Sequence, residues 1–123
     1  MESDSRSGAP RRPRAIQRPQ VAPGLASDLK DLVYELYLAA GPVTLDEIVQ
    51  MVQEDDALPG APGRDTVQRI IGGAELPASQ ADLTAVVTVL ARAARVDEEY
   101  PVVRARELWV KAKMARPAGT PLP

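Results

Sequence analysis

Apolar residues recur at helical spacing in five stretches between residues 25 and 115, and turn residues separate the stretches. The first stretch predicts a helix that begins at Ser27, a good N-cap, and ends at Gly41-Pro42, where glycine closes the helix and proline prevents its continuation. Its apolar positions form one stripe: Leu29, Leu32, Val33, Leu36 and Ala40. No alternating apolar and polar pattern of useful length occurs, so the chain is predicted to be all-α.

The second stretch is short and carries its own start signal. Thr44 and Glu47 have the spacing of a capping box, in which each side chain satisfies a backbone N–H at the helix N-terminus. This signal predicts a second helix that ends at about Gln53. Residues 54–63 (EDDALPGAPG) then break the pattern with three carboxylates, two prolines and two glycines.

The third stretch predicts a short helix from about Arg64 to Ile71, with either Gly63 or Asp65 as its N-cap. Val67, Ile70 and Ile71 share the side that would face the core. Gly72-Gly73 ends this helix, and Leu76-Pro77 belongs to an extended connection.

The last two stretches predict the longest helix and a terminal one. The fourth helix is predicted from about Ser79 to Arg95, and Pro101 fits the first turn of the fifth. The apolar stripe of the fourth helix consists of Leu83, Val86, Val87, Leu90, Ala91 and Ala94. That of the fifth consists of Ala105, Leu108, Trp109 and Ala112.

The two ends of the chain differ from the helical region in composition and charge. Residues 1–24 are rich in Pro, Arg, Ser and Gly, and residues 116–123 read RPAGTPLP, so both are predicted to be disordered. The second could also begin a linker. Residues 1–24 hold five arginines and two carboxylates, net +3, whereas residues 25–123 hold ten Lys and Arg and fifteen Asp and Glu, net −5. A basic tail thus precedes an acidic domain of residues 25–115.

Composition excludes several kinds of chemistry. The chain has no Cys and no His, which excludes disulfides and thiolate zinc sites and removes the main acid–base and metal-binding side chain. Adjacent carboxylates at Asp55-Asp56 and Glu98-Glu99 need not face each other. We therefore expect no enzyme activity, no metal and no cofactor. No apolar run approaches membrane-spanning length, and the N-terminus lacks the apolar region of a secretory signal, so a cytoplasmic protein is expected.

The order of these elements resembles a known family. "VTLDEIVQMV" followed by "RDTVQRIIGGAELPASQADLTAVVTVLARAARVDEE" is similar to the lambda-repressor/Cro-like (XRE-type) helix-turn-helix domain. The resemblance covers about 90 residues and implies a five-helix bundle in a bacterial transcriptional regulator that binds specific DNA sequences. Family members usually join the two helices by a turn of about four residues, whereas the loop of residues 54–63 is longer.

The resemblance also implies which residues touch DNA. The third helix would be the recognition helix, with Arg64, Asp65 and Thr66 at base edges and nearby phosphates and with Gln68 and Arg69 one turn further on. Arginine can bind guanine O6 and N7 together, and glutamine can bind adenine N6 and N7. Two residues of the second helix, Thr44 and Gln50, would reach phosphates. Three arginines of the basic tail would form a minor-groove arm: Arg11, Arg12 and Arg14.

The acidic charge of residues 25–123 leaves a second interpretation open. The chain could keep the helix-turn-helix fold as a protein-interaction or adaptor module that does not bind DNA. Its partner would then contact the loop of residues 54–63 or the fourth helix. Because family members often bind paired half-sites, the resemblance also allows a homodimer.

Overall fold

The computed structural model describes residues 16–21, 23–41 and 43–115. This part of the chain contains five α-helices and no β-strand, which confirms the all-α prediction. The helices are α1 (Leu25–Ala39), α2 (Leu45–Gln53), α3 (Arg64–Gly72), α4 (Gln80–Ala93) and α5 (Glu99–Met114).

The fourth helix lies at the centre of the bundle. All four other helices pack against α4, and every residue from Ala85 to Ala91 is buried. Around it, α1 packs against α3 and α5, and α2 packs against α3. Because α5 has no packing contact with α2 or α3, it lies apart from the helix pair that the sequence resemblance assigns to DNA. Leu83, Val86, Val87 and Leu90 are fully buried, as their spacing predicts.

Three of the helix starts follow directly from the sequence. The capping box of α2 is present, since Thr44 Oγ1 accepts from the Glu47 N–H at 3.1 Å and Glu47 Oε1 accepts from the Thr44 N–H at 2.8 Å. Ser79 caps α4 by accepting the Asp82 N–H at 3.1 Å. Of the two N-caps considered for α3, the structure has Gly63.

The predicted start of α1 at Ser27 is wrong by two residues. The helix begins at Leu25, and its N-cap is Gly24, whose φ of 145° is a conformation open mainly to glycine. The Asp28 N–H already bonds to the Gly24 carbonyl at 2.9 Å, so Ser27 lies inside the first turn. Glycine supplies the sharp change of direction, which a search for polar N-caps does not detect.

The end of α4 also differs from the prediction. The helix ends at Ala93 rather than Arg95, because Arg95 adopts the left-handed conformation with φ 61°. The Val96 N–H then bonds to the Ala91 carbonyl at 3.0 Å, as in a helix-terminating Schellman motif. This position usually holds glycine, and because an arginine stands there, no local signal marks the end of the helix.

The disorder predicted for residues 1–24 does not apply from residue 16 onward. Ile16 is only 8% exposed and belongs to the core. Two tyrosines of α1 hold its backbone, since the Tyr34 hydroxyl donates to the Ile16 carbonyl at 2.7 Å and the Ile16 N–H donates to the Tyr37 hydroxyl at 3.0 Å. Arg18 pairs with Asp31 and Glu35 on the same helix. We call residues 16–18 the anchor segment; residues 1–15 and 116–123 lie outside the described residues.

None of the helices in the described part of the chain combines the length and the hydropathy needed to cross a membrane.

Candidate nucleic-acid interface

The short helix α3 has one buried and one exposed side. Val67, Ile70 and Ile71 are buried against the neighbouring helices, as the sequence predicts. The opposite side carries the predicted recognition residues Arg64, Asp65, Gln68 and Arg69, all exposed, while Thr66 is half-buried. Residues four apart lie on the same face of a helix, one turn apart, so Arg64 is next to Gln68 and Asp65 is next to Arg69. We call this exposed side the α3 outer face.

One of these residues already has an acidic partner. Arg64 forms an ion pair with Asp46 in the first turn of α2, with 2.5 Å between Nη1 and Oδ1. Both side chains are more than half exposed, so the pair is screened by water and salt and holds Arg64 only weakly. Gln68 and Arg69 form no side-chain hydrogen bond or ion pair with any other described residue.

The two predicted phosphate contacts on α2 are engaged within the helix. Thr44 is committed to the capping box with Glu47, and Gln50 donates a hydrogen bond from Nε2 to Glu54 at 3.0 Å. The N-terminus of α2 also carries the carboxylates of Asp46 and Glu47. These carboxylates already satisfy the positive end of the helix, which leaves little attraction there for a phosphate.

The ten-residue loop between α2 and α3 is packed rather than free. Asp55 forms an ion pair with Arg92 of α4 at 2.6 Å, and Arg92 also binds Glu98. The hydrogen bond from Arg92, followed by one from the Ala57 N–H, lowers the pKa of the Asp55 carboxyl. At Gly60 the loop approaches α4 so closely that a Cβ would lie 2.7 Å from the Ala81 carbonyl oxygen. Glu54 and Asp56 remain exposed.

A buried lysine closes the C-terminal end of α3. Lys30 of α1 is 1% exposed, and its Nζ donates to the carbonyls of Arg69 and Ile70 at 2.9 and 3.0 Å. The Arg69 carbonyl also accepts the Gly73 N–H at 2.9 Å, so the ammonium is its second donor. Carbonyls in the last turn lack the full set of intrahelical partners, and the ammonium matches the negative end of the helix dipole. Burial lowers the pKa of Lys30 to about 8, while the Glu75 carboxylate opposes the shift.

The glycine pair after α3 has a tertiary role that its sequence position does not reveal. A Cβ on Gly72 would lie 2.7 Å from Ile16 Cγ2, and a Cβ on Gly73 would lie 2.6 Å from the Arg69 carbonyl oxygen. The first glycine therefore admits the anchor segment, and the second lets the chain leave the helix tightly. The anchor segment thus contacts the C-terminal end of α3.

A groove of about 570 Å³ lies between the end of α3 and the start of α4. Arg69 and Thr66 line one side, and Glu75 and Asp82 add carboxylates to an otherwise mainly apolar wall. The groove borders the α3 outer face, and its carboxylates add negative charge beside Arg69.

Sequence reasoning missed two features of this region, Lys30 and the anchor segment. Lys30 lies three and seven residues before Val33 and Tyr37, on a buried side of α1, which was a detectable signal. Ile16 stands alone among polar and proline residues and gave no periodic signal. The three predicted arm residues, Arg11, Arg12 and Arg14, lie outside the described residues.

Of the two surfaces predicted for a protein partner, the loop of residues 54–63 is exposed at Glu54, Asp56 and Ala57. The fourth helix offers little surface, because the bundle encloses it and Arg92 is its only exposed side chain.

Comparisons of this chain with protein-family models, with curated proteins and with solved structures find no match.

Proposed function

We propose that this chain is a sequence-specific DNA-binding module of the lambda-repressor/Cro-like helix-turn-helix type. In this proposal α3 enters the major groove and the arginine-rich tail supplies the contacts to phosphates. One observation carries the proposal: the anchor segment contacts the end of α3, beside the α3 outer face. The arginines that precede Ile16 in the sequence are therefore tethered close to that face.

The chemistry of the α3 outer face supports base readout. Gln68 and Arg69 are exposed and have no partner among the described residues to displace. Glutamine and arginine are also the side chains best suited to bind adenine and guanine, respectively. Arg64 joins them once its exposed ion pair with Asp46 opens, which costs little because water screens it.

The length of the tail supports its role as a source of positive charge. Arg14 is two residues from Ile16 and Arg11 is five, so their Cα atoms reach at most about 7 and 18 Å from the anchor. The helix α3 is about 14 Å long, since it has nine residues. All three arginines are therefore within reach of the α3 outer face. Arg18 is held more firmly than Arg64, because it binds two carboxylates, those of Asp31 and Glu35, and its guanidinium lies over the Tyr34 ring at 4.7 Å. We therefore do not count Arg18 among the phosphate contacts.

The proposal can be tested by selecting the whole chain on random-sequence duplexes and measuring the selected site across a salt series. We expect a defined sequence to be enriched. Arg69→Ala should weaken binding to that site and relax its preference at one base pair, a cost of about 1–3 kcal/mol. Arg106→Ala, an exposed arginine on α5, is the matched control and should leave both properties unchanged.

The arm has its own measurement in the same assay. Removal of residues 1–14 deletes four arginines and keeps Ile16, so the slope of log K against log salt should flatten by up to roughly 3.6, about 0.9 for each arginine. Absence of any enriched sequence, together with no binding at low salt, would overturn the proposal.

A second function, a protein-interaction module with the same helix arrangement, is favoured by the carboxylates around α3. Asp46 pairs with Arg64, Glu54 accepts from Gln50, and Glu75 lines the groove beside Arg69. In that case a basic partner would contact the exposed acidic loop. Cross-linking or hydrogen exchange that maps a partner to residues 54–63, in a chain that fails the DNA selection, would favour this function.

A further inference from the structure

The terminal helix α5 has an apolar surface on the side that faces away from the bundle. Its inner side, with Pro101, Ala105 and Leu108, is buried against α1 and α4. Its outer side carries four exposed apolar residues: Tyr100 (67%), Val103 (48%), Val110 (40%) and Met114 (79%). With Glu107 at the centre, these positions repeat at alternating steps of three and four residues. This is the spacing of the contact seam in a coiled coil. We call these five residues the outer stripe.

Positive charges border the outer stripe on both sides. With 100° per residue, Arg104 and Lys111 lie along one edge, and Arg106 and Lys113 lie along the other. Arg104 pairs with Glu107 at 3.6 Å, and Lys113 lies over the Trp109 ring at 5.6 Å. Arg106 and Lys111 form no ion pair with another described residue. This concentration of cations is unusual in a domain whose carboxylates outnumber its lysines and arginines.

A shallow groove runs beside the stripe. Its volume is about 380 Å³, and its walls come from Gln80 at the start of α4 and from five residues of α5: Val103, Arg106, Glu107, Val110 and Lys111. The two valines can contact an apolar side chain. The two cations outnumber the single carboxylate of Glu107, so the groove favours acidic neighbours.

We propose that the outer stripe binds an amphipathic helix of a partner protein, whose apolar seam is flanked by Asp and Glu. The spacing of three and four residues supplies the packing geometry, and the flanking cations supply the charge preference. The stripe spans fifteen residues, about 21 Å of helix, so the partner helix needs about four turns.

The flanking charges argue against a second copy of this chain as the occupant. In an antiparallel pair of α5 helices, each edge faces the same edge of the other copy, so Arg104 and Lys111 would meet their own counterparts. Arg106 and Lys113, on the other edge, would also meet their own counterparts. Like charges across such a seam favour a different, acidic partner.

The composition of the stripe argues against a membrane surface. Glu107 interrupts the apolar residues at their centre, and the stripe is about 80° wide. A helix that lies in a membrane interface has a large continuous apolar face, which α5 lacks.

Two designed peptides test the proposal on the full chain. Both are helices of about 28 residues with leucine at the seam positions; one carries glutamate at all flanking positions, and the other carries lysine there. The like charges also keep each peptide from pairing with itself. Fluorescence anisotropy of labelled peptide at low ionic strength should give a Kd at least about tenfold lower for the glutamate peptide, and salt should reduce this advantage.

Variants of exposed residues locate the site. Val110→Asp should weaken binding of the glutamate peptide about tenfold or more. Leu38→Asp, at an exposed apolar residue on α1, should leave it unchanged. The double charge reversal Arg106→Glu with Lys111→Glu should invert the preference, so that the lysine peptide binds more tightly.

Three results would overturn the proposal: equal Kd values for the two peptides, dimerisation of the chain that Val110→Asp abolishes, and binding to anionic vesicles that Val110→Asp abolishes. Circular dichroism and urea unfolding of each variant separate loss of binding from loss of fold.

Discussion

Lys30 joins two helices through a single buried ammonium. Its donation to the carbonyls of Arg69 and Ile70 ties α1 to the end of α3, directly behind the α3 outer face. Burial opposes the charged form and lowers its pKa to about 8, well below the ordinary 10.5. A neutral amine still donates two hydrogen bonds, so the contact survives deprotonation while the cost of burying a charge disappears.

This arrangement predicts a pH dependence of stability. Between about pH 8 and 10.5 the unfolded chain binds more protons at Lys30 than the folded one, so stability rises with pH. The stabilisation that this proton release provides is fully present above pH 10.5, and it is lost as the pH falls through 8. The free energy of unfolding of the wild type, minus that of Lys30→Met, should grow by on the order of 1–2 kcal/mol from about pH 7 to about pH 10. Urea unfolding of both chains measures it, and a constant difference would contradict the assignment.

Arg95 gives a second residue-scale prediction, because it adopts the left-handed conformation after α4. This conformation costs a non-glycine residue about 1–2 kcal/mol, which a glycine avoids. Part of that gain is offset, because glycine loses more conformational entropy on folding. Arg95→Gly should therefore raise the free energy of unfolding by about 0.5 kcal/mol relative to Arg95→Ala. Arg95→Ala is the matched control, since it removes the same exposed side chain and keeps the strain. Equal stability of the two variants would contradict the prediction.

At the scale of elements, the sequence predicted what local chemistry determines. The capping box of α2 and the Ser79 cap of α4 set their helices from neighbouring residues, so both starts were predicted closely. The start of α1 and the end of α4 depend on backbone conformations at Gly24 and Arg95 that no polar signal marks. In the candidate site, periodicity identified the exposed side of α3. The ion pair of Arg64 with Asp46 depends on how α2 packs against α3, and periodicity does not predict this packing.

The anchor segment shows why the N-terminal boundary could not be found from composition. Ile16 is ordered by tertiary contacts with Tyr34, Tyr37 and Gly72, all distant in sequence. A domain that begins at residue 25 would lose these contacts. The boundary of the folded unit is therefore set by one apolar side chain that composition alone treats as part of a polar tail.

Two truncations test this boundary. Removal of residues 1–14 should leave the free energy of unfolding unchanged, because Ile16 and Arg18 remain. Removal of residues 1–18 should lower it by roughly 3 kcal/mol, since it exposes the pocket of a buried isoleucine and leaves two tyrosine hydroxyls without their partners. Urea unfolding distinguishes the two chains, and equal stability would show that the anchor segment adds nothing to the fold.

Across the whole molecule, charge is divided among separate surfaces. The anchor segment of the basic tail contacts the end of α3, and the carboxylates of residues 54–56 lie between α2 and α3. The cations of α5 lie on a helix that contacts neither α2 nor α3. Asp55 is committed to Arg92, so Glu54 and Asp56 are the loop carboxylates that face solvent. If α3 binds DNA, these two charges lie near phosphates and repel them.

Neutralising the two loop carboxylates should therefore strengthen DNA binding. A charge about 10 Å from a phosphate contributes roughly 0.4 kcal/mol in water, so Glu54→Gln with Asp56→Asn should raise affinity about fourfold at low salt. The effect should fade as salt shortens the screening length. Glu99→Gln with Glu107→Gln changes the same charge on α5 and serves as the matched control, for which we expect a much smaller gain. Affinities of the variants for one duplex, measured at two salt concentrations, decide the point. Equal gains for the two double variants would mean that net charge, rather than the position of the loop beside α3, governs the binding.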